Sequence, residues 1–169
     1  MTGELTQHYI NQGLTHHHTK IISRNITGGL SFAGNVFIIQ DIIRHRNEIA
    51  QNGVYGRLMI GLAGTDILTS ICSSLAAWPM PKGYFIMAVG STGTCDATGF
   101  FTQIGLIGTP LYNCSLVVNY LLRLRYLWGE RKVEKVEKWL HIVPLSFSIA
   151  SAFLGLIFNV YGPIGVNCW

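Results

Sequence analysis

Four long runs of hydrophobic residues divide this chain, and each is long enough to cross a lipid bilayer. A helix rises about 1.5 Å per residue, so about 20 apolar residues cross the hydrocarbon core. Residues 1–20, which precede the runs, are polar and rich in threonine, histidine and glutamine, and they predict a flexible extracellular tail. The pattern predicts an all-α membrane protein, a polytopic transmembrane helix bundle over residues 21–169. Its four spans are predicted at residues 21–43, 57–81, 97–125 and 139–162.

Asp66 is the one charged residue inside the second run after its first turn. A carboxylate at the centre of a bilayer costs roughly 2.5–3.5 kcal/mol on insertion scales, so it usually faces protein or trapped water. Small or polar residues recur around it at steps of three and four, as on one face of a helix. The stripe consists of Ala63, Asp66, Ser70, Ser73 and Ala77. We predict that this stripe packs against another helix.

The third run also carries a polar stripe. Thr102, Thr109, Asn113 and Tyr120 are separated by seven, four and seven residues, which places them on one face of a helix. The run contains no charged residue from Ala97 to Leu122. A long helix with one continuous polar face is expected to be central, with other helices around it.

Composition supports the membrane class. Hydrophobic residues make up 49% of the chain and charged residues only 12%, whereas soluble domains carry about 25% charged residues. The net charge of +4 does not indicate nucleic-acid binding, because the basic residues are sorted between loops instead of forming one basic patch.

The sorting of basic residues predicts the orientation of the chain. Lys20, Arg24 and Lys82 lie on one side of the predicted bundle, and the other side holds nine basic residues. Basic loops stay in the cytoplasm, so both termini are predicted outside, with the plasma membrane as the expected location. The nine are Arg44, Arg46, Arg57, Arg123, Arg125, Arg131, Lys132, Lys135 and Lys138.

Two cysteines agree with this orientation. Cys95 precedes the third span and Cys168 follows the fourth, so both fall on the non-cytoplasmic side, where disulfides persist. We predict a bridge between them. Cys72 and Cys114 lie inside spans and are expected to act as small apolar residues.

The chain offers little for enzyme chemistry, and no catalytic residue is predicted. Asp66 has no second carboxylate beside it, and the H-E-x-x-H and G-x-S-x-G motifs are absent. Two alternatives from other classes stay open. One is a transporter or channel subunit with Asp66 in an ion path, and the other is a non-signalling tetraspanning adaptor.

Several of these residues together resemble rhodopsin-like (class A) G-protein-coupled receptors. The resemblance rests on Gly34-Asn35-Val36, on Leu62 to Asp66, on Trp78-Pro79 and on the Cys95–Cys168 pair. It covers Gly28 to Trp169, the first four of the family's seven helices, so the chain is expected to be an N-terminal fragment. Two segments suggest a divergent, protist-like branch: Pro110 to Asn113 and Arg123 to Tyr126.

The resemblance implies roles for particular residues. Asn35 would hydrogen-bond towards Asp66, and Asp66 with Thr109 would correspond to the family's allosteric sodium site; no other cofactor is expected. Tyr120, Arg123 and Arg125 would face a heterotrimeric G protein in a full-length receptor. An extracellular ligand, unidentified by the sequence, would bind between the second and third helices and further helices. One departure is plain: Asn119-Tyr120-Leu121 stands where the family has Asp-Arg-Tyr.

Overall fold

The computed structural model describes residues 2–44, 53–75, 78–83, 88–164 and 167–169, with side chains from residue 19 onward. These ranges contain helices α1 (Thr2–Arg44), α2 (Gly53–Leu75), α3 (Thr92–Leu124) and α4 (Glu130–Ile157). A short antiparallel hairpin follows, made of β1 (Pro163–Ile164) and β2 (Asn167–Cys168). Within the described residues, four helices are long and apolar enough to cross a membrane. The predicted all-α polytopic bundle is confirmed.

The first two helices differ from the prediction at their boundaries. The backbone of α1 is helical from Thr2, where a tail over residues 1–20 is predicted, and its membrane-crossing part is Thr19–Arg44. No proline interrupts residues 2–20, so nothing in the backbone stops the helix there. Helix α2 ends at Leu75, before the predicted end at Pro81, because Trp78 and the residues after it form turns.

Helix α4 begins earlier than predicted. The charged segment 129–138, which lies between the predicted third and fourth spans, is helical from Glu130. Glutamate and lysine are good helix formers, and an acidic residue in the first turn complements the helix dipole. The side chain of Glu137 is only 15% exposed, because it lies against Arg57 of α2.

Consecutive helices pack against each other, and α2 also touches α4. Small residues allow the close approach of α2 and α3. A Cβ atom added to Gly105 would lie 2.9 Å from the carbonyl oxygen of Thr65, and one added to Gly108 would lie 2.8 Å from the Thr65 methyl group. Ser148 of α4 is fully buried nearby. Packing of small residues is the usual way in which helices associate in lipid.

Two clusters of buried apolar side chains mark opposite ends of the bundle. We call one the disulfide end, with Ile21, Met80, Cys95 and Cys168. We call the other the charged end, because the Arg57–Glu137 ion pair lies beside its apolar cluster. That cluster consists of Val54, Leu58, Tyr112, Leu116 and Val133.

Large apolar side chains cover the outside of the bundle. Phe37 is 69% exposed, Val117 65% and Phe147 59%, each on a different membrane helix. A soluble protein rarely exposes contiguous apolar surface of this kind. The surface therefore contacts the lipid bilayer, and the chain is an integral membrane protein.

Candidate intramembrane polar site

Asp66 and Thr109 meet across the α2–α3 contact. The Thr109 hydroxyl donates a hydrogen bond of 2.7 Å to Oδ1 of Asp66. The same hydroxyl lies 3.3 Å from Oγ1 of Thr65, which is buried. Three oxygen-bearing side chains from two helices thus converge inside the membrane-crossing part of the bundle.

The local sequence explains this arrangement. Gly105 and Gly108 bring the backbone of α3 close to α2, and Thr109 follows on the next position of the helix. Thr65 directs its own hydroxyl proton to the carbonyl of Leu62 at 2.8 Å, so its oxygen lies beside Thr109 with no proton to donate there. Hydroxyl donors bonded to backbone carbonyls one turn earlier are common in helices.

Asp66 uses one of its two carboxylate oxygens in this contact. Among the described residues, no side chain other than Thr109 forms a hydrogen bond or an ion pair with it. A carboxylate in this position is an acceptor with unused capacity.

Asn35 does not join the site. Its side-chain amide donates to the carbonyl of Ser31 at 2.9 Å, and no hydrogen bond links it to Asp66 within the described part of the chain. The expected Asn35–Asp66 bond is therefore wrong for this structure. Asn35 is nevertheless buried at 9% exposure, because bonding its amide to its own helix lowers the cost of burial.

The predicted stripe on α2 is largely enclosed. Ala63 and Ser70 are buried, and Asp66 and Ser73 are half-buried. Ala77 lies outside the described residues. Arg46, one of the nine basic residues predicted on the cytoplasmic side, also lies outside them. The stripe therefore packs against other helices, as predicted.

Ion pairs hold the charged end together. The Arg57 guanidinium of α2 contacts both carboxylate oxygens of Glu137 in α4, with Nη2 donating to Oε2 at 2.7 Å and Nε donating to Oε1. His141 lies 3.9 Å from the same carboxylate, and its Nδ1 is 3.3 Å from the hydroxyl of Tyr112. These contacts join α2, α3 and α4.

The three residues predicted to face a cytoplasmic partner have different surroundings. Arg123 donates to Glu130 at 2.8 Å and to the buried Asn119 at 3.3 Å, so its guanidinium is engaged. Tyr120 is 47% exposed, and its ring lies 5.6 Å from that of Tyr55. Arg125 is exposed, and its side chain forms no ion pair within the described ranges.

At the disulfide end, Cys95 and Cys168 form the predicted bridge. The bridge fastens the β1–β2 hairpin to the first turn of α3. The Trp169 indole N–H donates to Gln103 at 2.7 Å, and the Tyr161 hydroxyl donates to the carbonyl of Ala152 at 2.9 Å. Burial raises the pKa of Tyr161. The hairpin is therefore bound to both α3 and α4.

Several of these residues were not selected from the sequence. Thr65 lies one position from the predicted stripe on α2, and only the packing of α3 shows that its hydroxyl faces Thr109. Glu137 lies in a segment of mixed charges, where nothing in the sequence distinguishes it from its neighbours. Its partner Arg57 is 80 residues away in the sequence. Thr69 lies three residues after Asp66, and Thr65 lies four residues before Thr69, so this spacing was the signal available in the sequence.

The site contains oxygen ligands only. Among the described residues, no group of three or more histidine, cysteine, aspartate or glutamate side chains converges in a way that would hold a transition metal. Carboxylate and hydroxyl oxygens are instead the ligands preferred by hard cations.

Fold and site together define a polytopic helical membrane protein with an intramembrane carboxylate and a disulfide-bound hairpin. No family model matches the chain. It is 28% identical over 118 residues to the ascaroside receptor GPR3 of Arthrobotrys oligospora. The match covers 67% of this chain and 28% of that receptor, so the chain spans well under half of its relative's length.

Proposed function

We propose that this chain functions in a G-protein-coupled receptor of the rhodopsin-like kind, transducing an extracellular ligand signal to a cytoplasmic G protein. The observation that carries the proposal is the Cys95–Cys168 disulfide, which fastens the hairpin after α4 to the start of α3. The same arrangement is expected from the resemblance in motifs. Similarity to a protein named as a receptor adds support.

The disulfide end is the extracellular side in this proposal. Disulfides persist outside the cytoplasm, and the paired arginines lie at the opposite end. A ligand would enter at the disulfide end and bind between α2, α3 and further helices of the complete receptor, away from the lipid-facing surface. Because the relative is named as an ascaroside receptor, ascarosides are the first ligands to test.

Asp66 is proposed as an allosteric sodium site. The fit rests on the chemistry of its neighbours: Thr109 and Thr65 present hydroxyl oxygens, and one carboxylate oxygen of Asp66 has no partner among the described side chains. Asp66 and Thr109 would hold the cation, with Thr65 beside them. Bound sodium would supply a positive charge that favours one packing of the helices over another.

The charged end is proposed to meet the G protein. Arg125 is an exposed cation there, directly after the last residue of α3, and Tyr120 lies five residues earlier in that helix. Arg123 already pairs with Glu130, so a partner would have to replace that pair before using its charge.

Guanine-nucleotide exchange tests the proposal. The full product of the gene is placed in membranes with a panel of heterotrimeric G proteins, and GTPγS binding is measured with each ascaroside. A ligand-dependent rise in exchange is expected, reduced in Arg125→Ala while ligand affinity is unchanged; Arg131→Ala, in the adjacent charged segment, is the matched control. If no ligand changes exchange on any G protein, the receptor proposal fails. Asp66-dependent ion flux into vesicles would then indicate transport.

A further inference from the structure

A cavity of about 770 Å³ lies between α2 and α3 at the disulfide end. Cavities that hold small organic ligands measure about 300–1,000 Å³. Cys72 and Thr98 line it and are buried at 6% and 8% exposure. Ile71 and Phe101 also line it but are 45% and 46% exposed. The cavity therefore extends from the helix contact to the surface that faces lipid.

The hydroxyl groups of the wall are already used. Thr98 donates to the carbonyl of Thr94 at 2.9 Å, and the Thr94 hydroxyl is 2.8 Å from the carbonyl of Pro79. With their protons directed to the backbone, these side chains offer no donor to an occupant. The remaining wall is almost entirely apolar, so the group that fits is a hydrocarbon chain.

The roof of the cavity is formed by described parts of the connector between α2 and α3, namely Trp78, Pro79, Val89 and Gly90, and these parts contact each other. The backbone N–H of Val89 donates to the carbonyl of Trp78 at 3.3 Å, and Gly90 pairs with Pro81 in a bridge. A Cβ atom on Gly90 would collide with the carbonyl of Pro79. Because these contacts do not depend on an occupant, the cavity is preformed.

Polar and charged groups stand at the same end of the cavity. Trp78 lines it, is 60% exposed, and its indole N–H has no hydrogen-bond partner among the described residues. Lys82 lies three residues after Pro79, which also lines the cavity, and it is exposed, with no ion pair within the described ranges. Tryptophan and lysine are the residues that meet lipid headgroups at the membrane surface.

We propose that this cavity binds one acyl chain of a glycerophospholipid, with the lipid phosphate beside Lys82 and Trp78. The cavity continues into the bilayer-facing surface, which supplies the lipid directly. Charge complementarity between the lysine and a phosphate fixes which end of the lipid lies at the roof. This inference goes beyond the receptor proposal and does not depend on it.

Photo-crosslinking tests the inference. The purified chain is reconstituted in nanodiscs that contain phosphatidylcholine with a diazirine near the end of one acyl chain. After illumination, labelled peptides are mapped by mass spectrometry. Labelling is expected at Leu68, Ile71 and Phe101, which line the part of the cavity away from the roof, and it should persist after transfer into excess unlabelled lipid, because a bound lipid leaves more slowly than the bulk lipid around the protein.

Matched variants separate the cavity from the general surface. Ala97 lines the cavity and is exposed, so Ala97→Phe fills the cavity without disturbing buried packing. The phenyl ring takes the place of a few methylene groups of the acyl chain, and the loss of their contacts weakens binding about tenfold. Labelling of the wall should therefore fall by about tenfold. Ala150→Phe makes the same change on an exposed position of α4 and should leave labelling unchanged. Formation of the Cys95–Cys168 disulfide reports that each variant is folded.

Two further results decide the identity of the lipid. Lys82→Gln should reduce capture of the phosphatidylcholine probe, and a diacylglycerol probe with the same diazirine chain should label the wall less than the phospholipid does. Equal capture of both probes would overturn the phospholipid assignment. Wall labelling that exchanges as fast as bulk lipid, or that survives Ala97→Phe unchanged, would overturn the cavity as a binding site.

Discussion

Gly105 lies where the backbone of α3 approaches that of α2. An added Cβ atom would collide with Oγ1 of Thr69 and lie 2.9 Å from the carbonyl oxygen of Thr65, and a backbone atom cannot turn aside. We expect Gly105→Ala to destabilise the bundle by about 1–3 kcal/mol, measured by thermal unfolding in detergent micelles.

Gly64 supplies the matched control. It is exposed on α2, and an added Cβ atom would meet nothing within 4 Å. Gly64→Ala should change stability by less than about 1 kcal/mol. Equal losses in the two variants would show that the close approach of α2 and α3 does not limit stability.

Thr109 is the donor to the intramembrane carboxylate. Thr109→Val keeps the shape of the side chain but removes the hydrogen bond of 2.7 Å to Asp66. A fully buried acceptor without its donor costs about 1–3 kcal/mol, and Asp66 is half-buried, so the variant should lose about 1 kcal/mol and unfold at a lower temperature than the parent protein. Thr109→Ser retains the hydroxyl and should recover most of the loss; a serine variant as unstable as the valine variant would contradict this role.

At the residue scale, the sequence indicated Asp66 and Thr109 because a charge or a polar stripe inside an apolar run is costly unless it has a partner. It could not assign the Asn35 amide. That side chain bonds either to a neighbouring helix or to its own carbonyl one turn earlier, and the choice depends on a rotamer set by packing.

At the scale of elements, the extension of α4 through residues 130–138 creates contacts that a loop would lack. It places Glu137 against Arg57 of α2 in a two-point ion pair. The Arg57 side chain is 49% exposed, so solvent weakens the pair, and we expect a coupling energy of at most about 1 kcal/mol.

A double-mutant cycle measures this coupling. Arg57→Gln, Glu137→Gln and the double variant are unfolded thermally at low and high salt. The coupling energy should be favourable at low salt and smaller at high salt. The same cycle on Arg131 and Glu134, which lie three residues apart on α4 and form no ion pair within the described ranges, should give a smaller coupling. A salt-independent coupling for Arg57 and Glu137 would contradict an ion pair.

The hairpin at the disulfide end depends on Tyr161 as well as on the disulfide. Its ring packs where a Cβ atom on Gly99 or Gly155 would stand, and its hydroxyl bonds to Ala152. Tyr161→Phe should lower stability at neutral pH by about 1 kcal/mol, the usual net value of one hydrogen bond.

The pH dependence of this variant has a defined sign. Burial raises the pKa of Tyr161 above its ordinary value of 10.0, so the folded protein holds the phenol proton more tightly than the unfolded chain does. The resulting stability is fully present below about pH 10 and is lost as the pH rises through the folded-state pKa. The difference in unfolding temperature between parent and Tyr161→Phe should therefore shrink at alkaline pH. A difference that is constant up to pH 11 would contradict the assignment.

Element boundaries were the least predictable part of the fold. The apolar runs identified four spans, but helix formation continues past the membrane into charged residues when their helix propensity is high, as in α4. The turn after α2 reflects the contacts of Pro79 and Gly90 across the connector. Such contacts between distant residues leave no periodic pattern in the sequence.

At the scale of the whole molecule, the two ends of the bundle have different chemistry. One end carries the disulfide, the hairpin and Trp78, and the other carries the Arg57–Glu137 and Arg123–Glu130 pairs. The intramembrane contact between Asp66 and Thr109 lies in the membrane-crossing helices that connect them. A cation bound there would couple the packing of α2 and α3 to the binding of ligands at either end.

Sodium titration of stability tests this central claim most directly. The thermal unfolding temperature of the purified chain is measured as sodium replaces potassium at constant ionic strength, for the parent protein and for Asp66→Asn. The account predicts that sodium raises the unfolding temperature of the parent protein, because an ion that binds only the folded state stabilises that state. It predicts no sodium response in Asp66→Asn. An equal response in both proteins, or none in the parent, would contradict a cation site at Asp66.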